Sequence, residues 1–138
     1  MEDREFISKS PSETWKIGEE LGEIAKKGDF YALYGELGTG KTQLVKGIAR
    51  GIGVKDWQYV VSPSFTIMNV YEGKFILCHV DLYRINGDEI EDFALEEFLE
   101  NGIVVVEWAQ RGKWDSTAIK VQIEATDGEE RKITVSRP

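Results

Sequence analysis

Gly35-Glu36-Leu37-Gly38-Thr39-Gly40-Lys41-Thr42 fits the spacing G-x-x-x-x-G-K-[ST], and the chemistry this spacing serves is the cradling of a polyphosphate. Glycines let consecutive backbone N–H groups turn inward around an anion, and a following helix adds the positive end of its dipole. In that arrangement Lys41 reaches the β- and γ-phosphates and the Thr42 hydroxyl holds Mg²⁺. A carboxylate at the end of a buried strand completes such a site, either on the metal or through water. Two acids qualify: Asp81 closes Phe75-Ile76-Leu77-Cys78-His79-Val80, and Glu107 closes Ile103-Val104-Val105-Val106. Ser62-Pro63-Ser64-Phe65-Thr66 adds a proline-fixed turn with three hydroxyls. It reads as a strand-entry turn or as a segment that senses the γ-phosphate. No Asn-Lys-x-Asp segment for guanine occurs in the chain, so ATP is the expected nucleotide.

These residues need a strand before the loop and a helix after it. Phe30-Tyr31-Ala32-Leu33-Tyr34 is apolar without alternation, as a strand buried on both faces reads. Leu44, Val45, Ile48 and Ala49 recur at helical spacing, and Gly51 and Gly53 close that helix. Upstream, Glu5–Ser8 reads as a short strand. Ser12 is read as the N-cap of a helix whose apolar stripe is Ile17, Leu21, Ile24 and Ala25. Trp57–Ser64 reads as a strand or loop. Phe65–Tyr71 and Phe75–Val80, separated by Glu72-Gly73-Lys74, predict a hairpin. Asp88 with Glu91 resembles a capping box opening a helix that buries Phe93, Ala94, Phe98 and Leu99 and ends at Asn101-Gly102. The strand that follows ends at Glu107 and can run parallel to the phosphate-loop strand, whereas the Asp81 strand reads as a hairpin arm. Position therefore favours Glu107 as the metal-side acid, with Asp81 beside it on the metal or on water. Ile119, Val121, Ile123 and Ala125 alternate, turn at Asp127-Gly128 and return through Ile133 and Val135, predicting a half-exposed hairpin at the sheet edge. The expected architecture is α/β, a reduced P-loop NTPase fold with a mixed sheet flanked by few helices and a C-terminal β-hairpin.

A length of 138 residues predicts one domain, with little room for the substrate lids of nucleotide kinases. One cysteine excludes an internal disulfide and suits a reducing cytoplasm. The charged opening Met1-Glu2-Asp3-Arg4-Glu5 predicts no signal peptide, and Ile103–Val106, the longest aliphatic run, is far too short to span a bilayer. A formal charge of −8, with the basic residues scattered among the acids, disfavours direct tight binding to RNA or DNA.

Taken together and in this order, the phosphate loop, Ser62-Pro63-Ser64-Phe65-Thr66, His79-Val80-Asp81-Leu82-Tyr83-Arg84 and Val106-Glu107-Trp108 resemble the TsaE (YjeE) family, from about residue 12 to residue 111. The resemblance implies a small cytoplasmic ATPase in the threonylcarbamoyladenosine modification of tRNA. It implies the partners TsaD and TsaB, whose complex the ATPase resets between turnovers, with tRNA met only through that complex and no membrane association. Carried onto this chain, Gly35, Gly38, Gly40 and Lys41 cradle the phosphates, Thr42 and Glu107 bind Mg²⁺, and Asp81 orients water or supports the metal shell. Ser64 and Thr66 lie in the switch-like segment, with Ser64 where the family usually has Thr. Tyr83 and Arg84 touch nucleotide or partner, with Arg84 equally able to pair with the nearby acids; Trp108 reads as a core indole or as a contact or switch residue; and residues from Ser10 to Thr14 stand near the base. Strand alternation turns His79 to the same side as Asp81, where it lines the site. Two other readings compete: a small-metabolite kinase, which needs an acceptor pocket and a basic lid, and a nucleotide-dependent interaction switch.

Overall fold

A computed structural model describes residues 3–36, 38–63, 66–85 and 94–138. In chain order the elements are β1 (Arg4–Ser8), α1 (Pro11–Ile24), β2 (Phe30–Tyr34), α2 (Lys41–Gly51), β3 (Met68–Glu72), β4 (Ile76–Asp81), α3 (Leu95–Asn101), β5 (Gly102–Glu107), β6 (Ile119–Asp127) and β7 (Glu130–Ser136). The seven strands form one sheet in the order β1-β7-β6-β2-β5-β4-β3. β2 pairs in parallel with both β5 and β6, and β4 in parallel with β5. The pairs β1–β7, β6–β7 and β3–β4 are antiparallel.

Alternation along the central strands divides the core in two. Leu77, Ile103 and Val105 pack with Ile17, Leu21, Leu44 and Ile48 beneath α1 and α2. Cys78, Val80, Val104 and Val106 pack with Leu95 of α3 and the half-buried Trp108 and Trp114 on the other face. Both faces of β5 are covered and all six of its residues are buried, which explains its unbroken aliphatic sequence.

α1 and α2 meet through glycines at matched four-residue spacing. A Cβ on Gly18 would lie 2.4 Å from the Leu44 carbonyl oxygen, and one on Gly47 would lie 2.3 Å from that of Trp15. Gly22 and Gly51 repeat the contact one turn on, with a Cβ 2.4 Å from the Ile48 oxygen and 2.3 Å from the Glu19 oxygen. Backbone thus rests on backbone, and the N-terminal end of α1 is drawn against the start of α2.

Several expectations are corrected. The α1 cap is Ser10, not Ser12: the Ser10 hydroxyl accepts from the Glu13 N–H at 3.2 Å, and Pro11, preset in φ and lacking an N–H, opens the helix. Ile24 is 48% exposed because the helix ends there and its stripe runs off the core. Of the strand and loop readings of the segment from Trp57, the structure gives the second, opened by a short 3-10 turn over Trp57–Tyr59. The C-terminal hairpin is not at the sheet edge: β6 lies beside β2, and β1 covers β7. The edges are β1 and β3. Ala94 is exposed, in a left-handed conformation just before α3. The capping box at Asp88 and Glu91, and Phe93, lie outside the described residues. Among the described residues no helix is long and apolar enough to cross a membrane.

Candidate functional site

The C-terminal ends of β2, β4 and β5 open into a cavity of about 650 Å³, bordered by the phosphate-loop residues Gly38, Thr39, Gly40, Lys41 and Thr42. Ser10, Pro11 and Thr14 bring the start of α1 to it, Glu129 and Arg131 bring the β6–β7 hairpin, and Ser62, Asp81, Tyr83, Arg84, Glu107 and Trp108 complete its wall. Gly38 and Gly40 adopt φ of +80° and +99° with open space where a Cβ would sit. They are required for backbone conformation, not for room.

Lys41, the first residue of α2, is 5% exposed, and its ammonium donates to the carbonyls of Gly35 and Glu36, each at 2.9 Å. The same ammonium lies 4.2 Å from the centre of the Trp108 ring, a cation–π contact. Burial lowers the Lys41 pKa, while the carboxylates of Glu107, Asp81 and Glu36 act against that shift. Desolvation disfavours the charge, and nearby acids favour it.

The two acids are direct neighbours. Asp81 is the register partner of Glu107 at the ends of β4 and β5. β4 is therefore more than a hairpin arm: it runs parallel to β5, so both carboxylates emerge at the same edge as the phosphate loop. The Thr42 hydroxyl lies 3.1 Å from each oxygen of Glu107. Glu107 Oε2 also meets His79 Nε2 at 2.5 Å. His79 is wholly buried and, among the described residues, its Nδ1 has no partner. Asp81 is held differently. Its Oδ1 accepts from the Tyr83 N–H at 2.7 Å, and its Oδ2 accepts from the Ser62 hydroxyl.

Two non-glycine residues around these acids have left-handed backbone, Ile67 at φ 70° and Trp108 at φ 59°. This is costly for a β-branched side chain above all. Ile67 receives the Asp81 N–H on its carbonyl at 2.9 Å. The turn at Trp108 swings its indole over Lys41 and beside Tyr83, ring centres 5.0 Å apart. Trp108 packs on the core by one side and walls the cavity by the other, so it is a core indole that also contacts the site.

The structure thus brings Gly38, Thr39, Gly40, Lys41, Thr42, Asp81 and Glu107 together around one cavity. Gly35 and Glu36 contribute carbonyls to Lys41. Leu37 and Ser64 lie outside the described residues. Thr66 does not join the site: it is exposed and donates to Asn69 at 3.0 Å. His79 does not line the cavity but lies beneath it, against Glu107.

Three participants escaped the sequence. Ser62 was read only as part of its segment, yet it supplies the hydroxyl to Asp81. Gln110 donates to the Gly35 carbonyl at 3.2 Å. Arg131 donates to the Thr39 carbonyl at 3.0 Å from 92 residues away. Of these, only Ser62 carried a local signal, its place before a proline. Gln110 and Arg131 arrive by topology.

The donor set fits magnesium. Among the described residues no group of three His, Cys, Asp or Glu side chains could hold a metal alone. A hydroxyl and a carboxylate within hydrogen-bond distance suit a hard ion that keeps waters and phosphate oxygens in its shell. Thr42 and Glu107 form that pair, with Asp81 one strand away.

The sequence profile described as "Threonylcarbamoyl adenosine biosynthesis protein TsaE" matches residues 8–133. The chain is 39% identical over 135 residues to the tRNA threonylcarbamoyladenosine biosynthesis protein TsaE of Aquifex aeolicus, covering 97% of this chain and 96% of that one. It is 38% identical to the TsaE protein of Bacillus subtilis, covering 91% and 80%. A crystal structure of YdiB from Bacillus subtilis superposes with a TM-score of 0.79 at 30% identity, covering 99% of this chain and 86% of that one. With the profile spanning nearly the whole sequence, the chain belongs to the TsaE family.

Proposed function

We propose that this chain binds ATP with Mg²⁺ and hydrolyses it slowly, as an auxiliary ATPase of tRNA threonylcarbamoyladenosine biosynthesis. It acts with TsaD and TsaB and resets the transferase complex between turnovers. The observation that carries the proposal is the meeting of Lys41, Thr42 and Glu107 at the mouth of a glycine loop, in a chain whose family is TsaE.

Each residue has a part in this reading. The Lys41 ammonium, held by hydrogen bonds to two loop carbonyls, exchanges these for phosphate oxygens, and Trp108 steadies it from the side. The N–H groups at the start of α2 face the phosphates. Thr42 and Glu107 would hold a magnesium ion, which would supply charge neutralisation at the terminal phosphates. Asp81, oriented by Ser62 and the Tyr83 N–H, has the place to align a water. The net charge of −8 suits a protein that leaves the RNA to its partners.

The test is ATP hydrolysis by the pure protein, alone and then with TsaD and TsaB from the same source. Weak activity alone and stimulation by the pair are expected. Consumption of ATP only on addition of a metabolite makes the protein a kinase instead. Lys41→Ala is expected to remove nucleotide binding while leaving the circular dichroism of the fold unchanged. Binding like the wild type in that variant removes the site.

A further inference from the structure

Among the described residues, Arg131 makes the side-chain hydrogen bonds that join the β6–β7 hairpin to the phosphate loop. Arg131, the second residue of β7, donates from Nε to the Thr39 carbonyl at 3.0 Å and from Nη2 to the Gly38 carbonyl at 3.3 Å. Its Nη1 is anchored on its own hairpin, to the carbonyls of Gly128 at 2.7 Å and Glu130 at 2.9 Å. The guanidinium is thus a bridge, fixed at one side to the hairpin and at the other to two consecutive loop carbonyls. Its planar fork suits this task better than an ammonium does.

The consequence follows from peptide geometry. In a planar trans peptide the C=O and N–H point in opposite directions. Drawing the Gly38 oxygen to the hairpin turns the Thr39 N–H away from it, and that N–H bonds the Glu36 carbonyl at 3.3 Å. Drawing the Thr39 oxygen to the hairpin turns the Gly40 N–H away likewise. Gly38 and Gly40 at positive φ have little conformational preference of their own, so the orientation of these peptides depends on what holds their oxygens.

We infer that Arg131 is a positioning residue for the phosphate loop: it clamps the Gly38 and Thr39 carbonyls and so fixes the orientation of the loop's peptides, the Gly40 N–H among them, before a polyphosphate arrives. The hairpin is itself well seated for this. Arg131 is the register partner of Ser8 on β1, and Ser8 bonds both the Ser10 carbonyl, at 2.9 Å, and Thr14, at 2.7 Å. Ser10 and Thr14 line the same cavity.

The inference rests on the nucleotide-binding reading, so the experiment begins with calorimetric titration of ADP and of pyrophosphate into the wild-type protein. R131Q and R131K follow. Both are expected to weaken ADP and pyrophosphate by about tenfold, the loss of roughly one hydrogen bond's worth of organisation, with the thermal midpoint close to that of the wild type. Arg131 acting only as a charge toward phosphate predicts that R131K keeps full affinity, and that result overturns the clamp. Unchanged affinity in R131Q overturns it also. A wild-type protein that binds neither ligand fails the nucleotide reading first and takes the clamp with it. Should the variants not fold, the wild type still decides: a slowly exchanging Arg131 Nε–H resonance in the ligand-free protein supports the clamp, and a solvent-exchanged one overturns it.

Discussion

Glu107 is 2% exposed, and its oxygens serve Thr42 and His79 at once. A buried carboxylate with two partners is fixed in direction, which is what a residue on a small, geometrically demanding ion needs. Asp81 is 3% exposed, but its side chain bonds Ser62 and the Tyr83 N–H, whereas the Thr42 hydroxyl turns to Glu107. The two acids are therefore expected to separate on mutation. Glu107→Ala is expected to weaken Mg²⁺-dependent nucleotide binding by at least about tenfold, and Asp81→Ala by clearly less. Titrations with and without Mg²⁺ read the difference, and the reverse order exchanges their roles. At this scale the phosphate loop was legible because its chemistry lies in eight consecutive residues. The bond from His79 to Glu107 was not: strand alternation says which side a residue faces, not which neighbouring strand its side chain reaches.

The contact between α1 and α2 governs the next scale. Four glycines let two helices touch backbone to backbone, and they place Ser10 and Thr14 beside the phosphate loop. The Arg50–Glu19 ion pair, at 2.5 Å, and the Trp15–Gln43 bond, at 2.6 Å, cross the same interface. Gly47→Ala sets two effects in opposition. Alanine favours an isolated helix by up to about 1 kcal/mol. Here its Cβ would meet the Trp15 carbonyl oxygen at 2.3 Å, and forcing atoms into a packed contact costs about 1–3 kcal/mol. The contact is expected to win, so Gly47→Ala lowers stability by about 1 kcal/mol or more in urea unfolding. An unchanged or raised midpoint would mean that the helices separate without cost. The apolar stripe of α1 was readable from Ile17 and Leu21. The glycines were not read as a surface, because a residue without a side chain leaves no mark on a hydrophobic period.

Across the whole molecule, burial sets how stability responds to alkali. The Cys78 thiol is pushed up from 9.0 to about 12 by burial. The Tyr31 phenol is pushed up from 10.0 to about 12, by burial first and then by the Asp29 charge. Both groups keep their protons in the folded chain and release them sooner in the unfolded one. Their contribution is complete below pH 9 and is lost as pH rises toward 12. Lys41, lowered by burial, acts the other way as pH rises toward 10.5. Burial also raises the Tyr34 phenol above 10.0, so with three groups against one the urea midpoint is expected to fall between pH 9 and 11, and to fall less steeply in Cys78→Ala. Parallel slopes in the two proteins would clear the thiol. What the sequence alone determined is what lies close along the chain or repeats with a period: the glycine loop between its strand and helix, the buried run ending at Glu107, the alternating C-terminal hairpin. Only the tertiary structure decided that β1 covers that hairpin, that β4 lies parallel to β5 and brings Asp81 beside Glu107, and that Arg131 arrives at a loop 92 residues earlier. Strand order is settled by how whole faces bury against helices, and a local pattern of residue types does not carry that information.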